Sequence, residues 1–231
     1  MIDTTQHISE VFNEDCMIGM ARYPDKWFDL AVVDPPYGSS ADNIKSFKSN
    51  SINKKAKRKV YNLFQNNSPE FEYYEEIARV SKNQIIWGGN FLGIIGGVIV
   101  WDKNGTAFGE AEVAICSTHK SVRIFEYTWN GMIQQDMSNK EERIHPTQKP
   151  VALYDWIYKN YLPNGGKVFD SHLGSQSNRI SAFKRGNIIF DACELDVYYF
   201  NDGNDRYDEF LMKYQPAELN PITKQGQTKL F

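Results

Sequence analysis

Short apolar runs alternate with amphipathic stretches along most of the chain. The run Phe-Asp-Leu-Ala-Val-Val at 28–33 is typical of a buried strand, whereas residues 71–80 place apolar side chains at the spacing of a helix face. This alternation favours an α/β architecture. The pattern predicts strands at 7–13, 28–33, 84–87, 97–101, 111–116, 167–170 and 187–194, and helices at 71–80, 149–161, 177–185 and 197–213.

Two segments do not follow the sheet pattern. Residues 39–69 are polar and contain a run of lysines, and residues 117–144 mix basic, aromatic and amide side chains. Connections of this length inside a domain usually carry a function or are disordered. We expect one domain over 1–231, with both segments as insertions, and a loose polar tail from Pro216.

The composition is that of a folded cytoplasmic protein. The 231 residues are 41% hydrophobic, enough for a sizeable core, and the net charge of −3 excludes a uniformly basic nucleic-acid coat. The 3 cysteines and 4 histidines show neither a disulfide framework nor ligand spacing, so we expect no metal. There is no signal-peptide pattern, and glycines interrupt the uncharged stretch 83–101, which favours strands over a membrane span.

The most informative motif is Asp-Pro-Pro-Tyr-Gly at 34–38, directly after the apolar run 28–33. Consecutive prolines cannot continue a central strand, so the chain must turn out at the carboxyl edge of the sheet, where open α/β sheets bind ligands. The Asp34 carboxylate and the Pro35 carbonyl could accept both hydrogens of an exocyclic amine, while Tyr37 stacks on its ring. A tight turn that only ends the strand is the alternative interpretation.

A second cluster follows two later strands. The strand at 167–170 ends on Asp170, and the loop after it contains Gly174, which allows a ligand close to the backbone. Glu194 ends the next strand about 20 residues later, the spacing at which nucleoside-binding folds place an acid on ribose hydroxyls. Acids end many strands, however, and the loop has a single glycine. Taken alone, the cluster favours an ordinary loop.

A third motif, His-Pro-Thr-Gln-Lys-Pro at 145–150, precedes the helix predicted at 149–161. It offers hydroxyl and backbone donors at a helix start, and Lys149 could neutralise a carboxylate. An ordinary capped helix is the simpler interpretation of this motif alone.

Together the three motifs resemble the permuted, beta-type amino-methyltransferases that act on DNA. In that family Asp-Pro-Pro-Tyr precedes the cofactor loop and His-Pro-Thr-Gln-Lys-Pro links the two, as here at 34–37, 145–150 and 170–175. The resemblance spans nearly the whole chain. Other segments similar to the family's are Glu-Asp-Cys at 14–16, Trp-Gly-Gly-Asn at 87–90 and Trp-Asp-Lys at 101–103.

The resemblance implies a Rossmann-like methyltransferase fold with a doubly wound, mostly parallel sheet and circularly permuted motif order. It implies S-adenosylmethionine as cofactor and DNA as partner, with the target base flipped out of the duplex. A motif that begins with Asp favours the 6-amino group of adenine, and N4 of cytosine is the alternative.

The resemblance also implies a set of site residues. The target amine would be held by Asp34, Pro35, Pro36 and Tyr37. The cofactor would contact Asp15, Cys16, Asp34, His145, Thr147, Gln148, Lys149, Asp170, Ser171, His172, Gly174, Ser175, Glu194 and Asp196, with 147–149 near its methionine end.

One departure concerns the cofactor loop. The family commonly has Asp-Pro-Phe-x-Gly-Ser-Gly, whereas Ser171, His172 and Gln176 stand here at the Pro, Phe and last Gly positions. Such a loop could be stiffer or bind cofactor weakly, which leaves open a catalytically weakened DNA-binding relative.

DNA contacts are expected from cations in the two inserted segments. If five cations of the first segment met phosphates, log affinity would fall with log salt at a slope of roughly −4 to −5; a solvated loop without a ligand is the alternative. The phosphate contacts would come from Lys45, Lys48, Lys54, Lys55, Lys57, Arg58 and Lys59. The second segment would read base edges through Arg123, Tyr127, Trp129, Gln134 and Gln135.

Two other functions stay open. One is methyl transfer to RNA or to a protein glutamine by the same amine-holding motif, although such enzymes usually place the cofactor loop first. The other is a non-catalytic DNA-binding module, which would not bind S-adenosylmethionine. The sequence leaves open a monomer or a homodimer and a restriction endonuclease partner, and we expect no membrane association.

Overall fold

The sheet is built around the apolar run that precedes Asp34. This run forms strand β2, Phe28–Val33. Successive side chains point to opposite faces of a strand, so Leu30 and Val32 join one hydrophobic cluster while Ala31 and Val33 join another. The structure is a computed structural model, and it describes residues 9–37, 68–105, 109–130 and 132–214.

The described residues form eight strands and five α-helices. The strands are β1 (Ser9–Phe12), β2, β3 (Ser81–Trp87), β4 (Gly97–Asp102), β5 (Ala111–Cys116), β6 (Val122–Glu126), β7 (Gly166–Asp170) and β8 (Ile188–Cys193). The helices are α1 (Cys16–Met20), α2 (Phe71–Val80), α3 (Val151–Tyr161), α4 (Ser177–Arg185) and α5 (Val197–Lys213), with a 3-10 helix at Gly89–Leu92.

The eight strands form one sheet in the order β1-β8-β7-β2-β3-β5-β4-β6. Among these strands only β5 is antiparallel to its neighbours, β3 and β4. The chain moves from β2 to β3 on one side and from β7 to β8 on the other. The carboxyl ends of β2 and β7 therefore flank the point at which the strand order reverses, where open α/β sheets bind ligands.

Helices cover both faces of the sheet. Leu153 and Ile157 of α3 and Ala182 of α4 pack on the face of Leu30, within the larger hydrophobic cluster. On the other face, α1 and α2 pack against Ala31 and Val33. None of the helices in the described part of the chain is both long and apolar enough to cross a bilayer.

Most predicted elements are found within a few residues of their expected bounds. Of the strand predicted at 7–13, the described part is β1, Ser9–Phe12, and β3 begins at Ser81 although its first residues are polar. Helix α3 begins at Val151 and not at 149, because the residue before a proline is disfavoured in helical conformation and Pro150 stays extended. The short helix α1 and the 3-10 helix were not predicted.

The prediction for 117–144 is wrong in part, because strand β6 lies within it. β6 pairs in parallel with β4 and forms the edge of the sheet. Its side chains are largely exposed, so the apolar signal of a buried strand is missing. Three predicted features lie outside the described residues. They are the cations expected at Lys45 to Lys59, the rest of the first segment apart from 68–69, and the tail from Pro216.

Candidate active site

Four carboxylates follow four neighbouring strands. β1, β8, β7 and β2 are adjacent and parallel, so their carboxyl ends meet at one edge of the sheet. Asp15 follows β1, Glu194 follows β8, Asp170 ends β7 and Asp34 follows β2. Residues far apart in sequence are thus aligned along one edge.

Both oxygens of Asp34 are engaged. The Tyr37 hydroxyl donates to Oδ1, and the Lys149 ammonium donates to Oδ2. The Asp34 side chain remains 18% exposed, and its Oδ2 faces a buried lysine. A ligand amine that binds Oδ1 must share this oxygen with Tyr37 or displace its hydroxyl.

The Tyr37 ring rests on the backbone of Gly88. This glycine has φ of +69°, and a Cβ there would overlap the Tyr37 ring. On another side Phe91, which is 66% exposed, lies with its ring centroid 5.7 Å from that of Tyr37. Burial, followed by the charges of Asp34 and Glu112, raises the pKa of Tyr37 far above its usual value, so the phenol stays neutral.

Asp170 is a buried carboxylate with little positive charge nearby. It accepts from Asn178 Nδ2 at 2.8 Å and from the His172 backbone N–H at 3.1 Å. Burial raises its pKa to about 7, the two hydrogen bonds lower it, and the charges of Asp34 and Glu194 raise it further. Among the described residues, no lysine or arginine forms an ion pair with Asp170, Glu194 or Asp15.

The loop after β7 is fixed to helix α2. Ser171 Oγ lies 2.6 Å from the Tyr73 hydroxyl and 2.8 Å from His172 Nδ1. The His172 ring meets the Tyr73 ring edge to face at 5.6 Å. Burial lowers the pKa of His172 to about 4, so its imidazole is neutral near pH 7.

Backbone N–H groups bind the acids at the ends of β8 and β1. Gly174 N donates to Glu194 Oε2 at 2.8 Å, and Asp196 N donates to Glu194 Oε1 at 2.9 Å. Asp196 in turn caps α5. Asp15 caps α1, which begins at Cys16. Each carboxylate oxygen has a second lone pair, so Glu194 can still accept from a ligand hydroxyl.

The turn at 145–148 is braced by its own side chains. Gln148 Oε1 accepts from Ile144 N at 2.9 Å, and its Nε2 donates to the Glu142 carbonyl at 3.1 Å. Thr147 Oγ1 lies 3.1 Å from His145 Nδ1. Burial lowers the pKa of His145 to about 3, with Lys149 and Arg143 adding to the effect. Gln148 is thus used to hold this turn.

Lys149 does not project toward the glycine loop after β7. Its ammonium lies between two carboxylates, paired with Asp34 Oδ2 and 3.1 Å from Glu112 Oε2. These two ion pairs therefore compete with the expected contact between Lys149 and the methionine end of a cofactor.

The side chains of 117–144 that were expected to read bases do not form one exposed surface. Trp129 is 4% exposed and donates to the Gln148 carbonyl, and the Gln134 amide is bonded on both sides to the Glu141 backbone. For these two side chains the prediction is wrong, because both are used in packing the segment.

Of the others, Tyr127 stacks on Phe125 at 5.6 Å, and Gln135 Oε1 accepts from Thr128 N at 3.3 Å. Arg123 is exposed, and its guanidinium lies 5.7 Å from the Tyr161 ring, at the end of α3 away from Lys149. Since α3 spans 11 residues, roughly 16 Å of helix separates the two ends. Arg123 is therefore not part of the Asp34 site.

The chain matches no family model, and no curated protein matches it significantly. Its structure is similar to M1.HpyAVI in complex with S-adenosylmethionine, with a TM-score of 0.52 at 16% identity over 86% of this chain and 99% of the other. For the cytosine-N4-specific PvuII DNA methyltransferase the TM-score is 0.57 at 12% identity, over 88% and 87%. For TTHA0409 from Thermus thermophilus, complexed with S-adenosyl-L-methionine, it is 0.51 at 15%, over 90% and 96%.

These proteins share the fold of this chain. The predicted fold class, an α/β fold with a central, mostly parallel sheet, is confirmed. At such low identity the similarity concerns the fold alone, and the circularly permuted motif order stays a prediction.

The residues at the carboxyl edge fit a ligand that carries positive charge and hydroxyl groups. Asp15, Asp170 and Glu194 have no cationic partner among the described residues, and burial, with a smaller contribution from the charges of Asp34 and Glu194, raises the pKa of Asp170. Glu194 retains acceptor capacity for hydroxyls. A sulfonium nucleoside such as S-adenosylmethionine matches this set of groups, with Asp15, Asp170 and Glu194 as the residues that would hold it.

Several residues of the site were missed by sequence reasoning. Lys103 and Glu112 extend the charged network from Lys149, and Gly88 and Phe91 shape the surroundings of Tyr37. The segments Trp-Gly-Gly-Asn and Trp-Asp-Lys were noticed only for their resemblance. Their position at the ends of β3 and β4 was the available signal for Gly88 and Lys103.

Proposed function

We propose that this protein transfers a methyl group from S-adenosylmethionine to an exocyclic amine of a base in DNA, the 6-amino group of adenine. The observation that carries the proposal is the position of Asp34. This carboxylate directly follows a central strand at the switch point, beside a row of carboxylates that have no cationic partner among the described residues. An amine acceptor and a site for a cationic ligand therefore adjoin each other.

Asp34 and Pro35 would hold the amine. An exocyclic amine is a weak nucleophile because its lone pair is delocalised into the ring. The Asp34 carboxylate and the Pro35 carbonyl accept its two hydrogens and draw the nitrogen toward tetrahedral geometry, which frees the lone pair. Lys149 holds Oδ2, so Oδ1 is the oxygen that faces the amine.

Tyr37 would position the base. Its ring is backed by Gly88, and in this structure its hydroxyl donates to Asp34 Oδ1. An entering amine competes for that oxygen, and Tyr37 then offers its ring face to the base. Phe91, exposed beside Tyr37, extends the aromatic surface.

The proton that leaves the methylated nitrogen would go to Asp34 Oδ1 and then to solvent. Tyr37 cannot take it as a phenolate, because its pKa is raised and it holds its own proton. His145 and His172 are weak bases, since burial lowers their pKa values to about 3 and about 4. When bound, S-adenosylmethionine supplies a methyl group on a sulfonium, which becomes a neutral thioether as the nitrogen takes the methyl carbon.

The choice of adenine rests on the resemblance of the motif that begins at Asp34. Cytosine N4 is the second candidate, because the PvuII enzyme with the same fold is described as cytosine-N4-specific. Both products are separable as nucleosides, so one assay distinguishes them.

The test compares methyl acceptors. Purified protein is incubated with S-adenosylmethionine and, in parallel, duplex DNA, single-stranded RNA and a protein mixture, and the products are hydrolysed and analysed by mass spectrometry. The proposal predicts N6-methyladenine in DNA alone. Methylated RNA or glutamine would replace DNA as the substrate. Absence of any product, together with absence of S-adenosylmethionine binding, would favour a non-catalytic module.

A further inference from the structure

Lys149 is a buried cation that pairs with two carboxylates. Its side chain is 2% exposed, and its ammonium binds Asp34 Oδ2 and lies 3.1 Å from Glu112 Oε2. The Trp87 ring centroid is 5.2 Å from the ammonium. The following proline, Pro150, keeps the backbone extended before α3 begins, which fixes the direction of the lysine.

Glu112 connects this pair to a second lysine. It lies on β5 opposite Trp101 of β4, and its Oε1 binds the ammonium of Lys103. Lys103 packs over the Trp101 ring, 4.6 Å from its centroid. Four alternating charges therefore run from the candidate amine site across the sheet to a pocket of about 70 Å³, which Lys103 and Glu112 help to line.

Lys149 and Glu112 both remain charged near neutral pH. Burial lowers the pKa of Lys149, but the charges of Asp34 and Glu112 outweigh it and raise the value above that of a free lysine. Burial raises the pKa of Glu112, yet the two ammonium groups bring it down to about 2. Passing a proton from Lys149 to Glu112 is therefore strongly uphill, and the chain of charges is not a proton relay.

We propose that Lys149 and Glu112 are positioning residues for Asp34: the ammonium holds Oδ2 so that Oδ1 faces the target amine, and Glu112 limits how strongly the ammonium draws Asp34 away from it. The inference rests on the proposed function. It assigns Lys149 to the amine site and not to the cofactor, and it gives a role to Glu112, which no motif indicated.

The geometry explains why two carboxylates share one lysine. With Lys149 alone, Asp34 would form a tight ion pair, and its negative charge would be less available to the amine. With Glu112 alone, two like charges would face each other with no cation between them. The lysine between the two carboxylates offsets their repulsion, and its attraction is shared between Asp34 and Glu112.

The pH profile of catalysis reports the charges around the candidate amine site. The titratable or charged groups around Asp34, Lys149 and their direct partners are Tyr37, Tyr74, Lys103, Glu112, His145, Tyr154 and Asp170. The three tyrosines have raised pKa values and His145 a lowered one, so these four are neutral near pH 7. Asp170, with a pKa of about 7, is present in every variant compared.

The experiment measures kcat against pH at saturating S-adenosylmethionine for the wild type, Lys149→Met, Lys149→Arg and Glu112→Gln. Removing the ammonium takes away positive charge that favours ionised carboxylates, as it does at Glu112, so Lys149→Met should move the acid limb of the profile up by roughly 1 to 3 pH units. Its kcat should fall on the order of 100-fold, because the carboxylate loses its orientation. Lys149→Arg keeps the charge and should restore the wild-type limb.

Glu112→Gln should lower kcat, because the whole positive charge of Lys149 then acts on Asp34. It should not move the acid limb of the pH profile to higher pH. A merely structural role would not shift the limb for one variant and spare it for the other. The control is Lys184→Met, which removes a lysine paired with Asp155 outside the site. It should leave kcat and its pH profile unchanged.

Equilibrium binding of S-adenosylmethionine distinguishes a positioning role of Lys149 from direct binding of the cofactor by Lys149. Unchanged affinity in Lys149→Met, with the shifted limb, supports the positioning role. Weakened affinity with wild-type kcat at saturating S-adenosylmethionine would overturn the inference and assign Lys149 to cofactor binding. An acid limb raised by Glu112→Gln would also overturn it. If the wild type itself transfers no methyl group to a DNA amine, the proposed function has failed.

Discussion

Gln176 stands at a position where the chain needs a left-handed conformation. Its φ is +61°, in the region that glycine adopts without strain and that the family's last loop glycine would suit. The glutamine side chain is fully buried, and it donates to Asn204 at 2.9 Å and accepts from Arg179 at 2.9 Å. The departure noted in the sequence thus preserves the backbone shape of the loop and adds a link to α4 and α5.

Substitutions at Gln176 should separate strain from bonding. Gln176→Gly relieves the strain but loses both hydrogen bonds and the packing over Gly203, so we expect the free energy of unfolding to fall by roughly 1–3 kcal/mol. Gln176→Ala loses the same contacts and keeps the strain, so it should be about 1 kcal/mol less stable still. Chemical denaturation measures both. A glycine variant at least as stable as the wild type would mean that the side chain contributes nothing.

Single residues were predicted well where a motif stands in one stretch of chain. The turn at Asp34 and the acid at Glu194 were expected at strand ends and are found there. The partner of Lys149 was not foreseen, because Asp34 lies 115 residues away and Glu112 belongs to another strand. Which carboxylate a buried lysine meets depends on the order of strands in the sheet, and the sequence does not contain that order explicitly.

At the scale of elements, the 3-10 helix at Gly89–Leu92 supports the candidate amine site. Gly88 precedes it and Gly93 follows it, both with left-handed φ values of +69° and +67°. They differ in their surroundings: a Cβ on Gly88 would overlap the Tyr37 ring, whereas a Cβ on Gly93 would meet no described atom within 4 Å.

This pair of glycines offers a matched comparison. Gly88→Ala and Gly93→Ala should both lose about 1 kcal/mol of stability from backbone strain. Only Gly88→Ala should displace Tyr37, and its methyl transfer rate should then fall on the order of 100-fold. Steady-state kinetics beside thermal unfolding test this. Equal activity losses in the two variants would mean that the contact between Gly88 and Tyr37 does not support the site.

Elements with a strong periodic signal were predicted at their observed bounds. β2, β5, α2, α4 and α5 have the bounds expected from the sequence. β6 was missed because an exposed edge strand with an arginine near its centre lacks a buried apolar run. Trp129 and Gln134 were misread as exposed, because the aromatic and amide side chains of a packed loop resemble those of a binding surface.

At the scale of the whole molecule, the strand order brings together acids from both ends of the chain. Asp15, Glu194, Asp170 and Asp34 form a row because β8 and β7 are inserted between β1 and β2. The cost of gathering like charges is visible at Asp170, where burial is the largest cause of a pKa of about 7 and the neighbouring acids add to it. A cationic ligand would offset this repulsion.

The affinity for S-adenosylmethionine should therefore depend on pH. Asp170 is protonated below its pKa of about 7 and ionised above it, and the ionised form attracts a cation. Binding should strengthen roughly tenfold between pH 6 and pH 8 in the wild type, and this gain should be much smaller in Asp170→Asn. Calorimetric titrations at several pH values measure the difference. Identical pH dependence of binding in the two proteins would mean that Asp170 does not bind the cofactor.

The most direct measurement is the methylation state of DNA from a methylation-free host that expresses the wild type or Asp34→Asn. Asp34→Asn preserves the shape of the side chain but removes the charge that binds the amine, and retained S-adenosylmethionine binding verifies that the variant is folded. Nucleoside mass spectrometry should detect N6-methyladenine with the wild type and none with Asp34→Asn. No methylated amine with the wild type, or equal amounts with both proteins, would contradict the assignment of Asp34 as the amine acceptor.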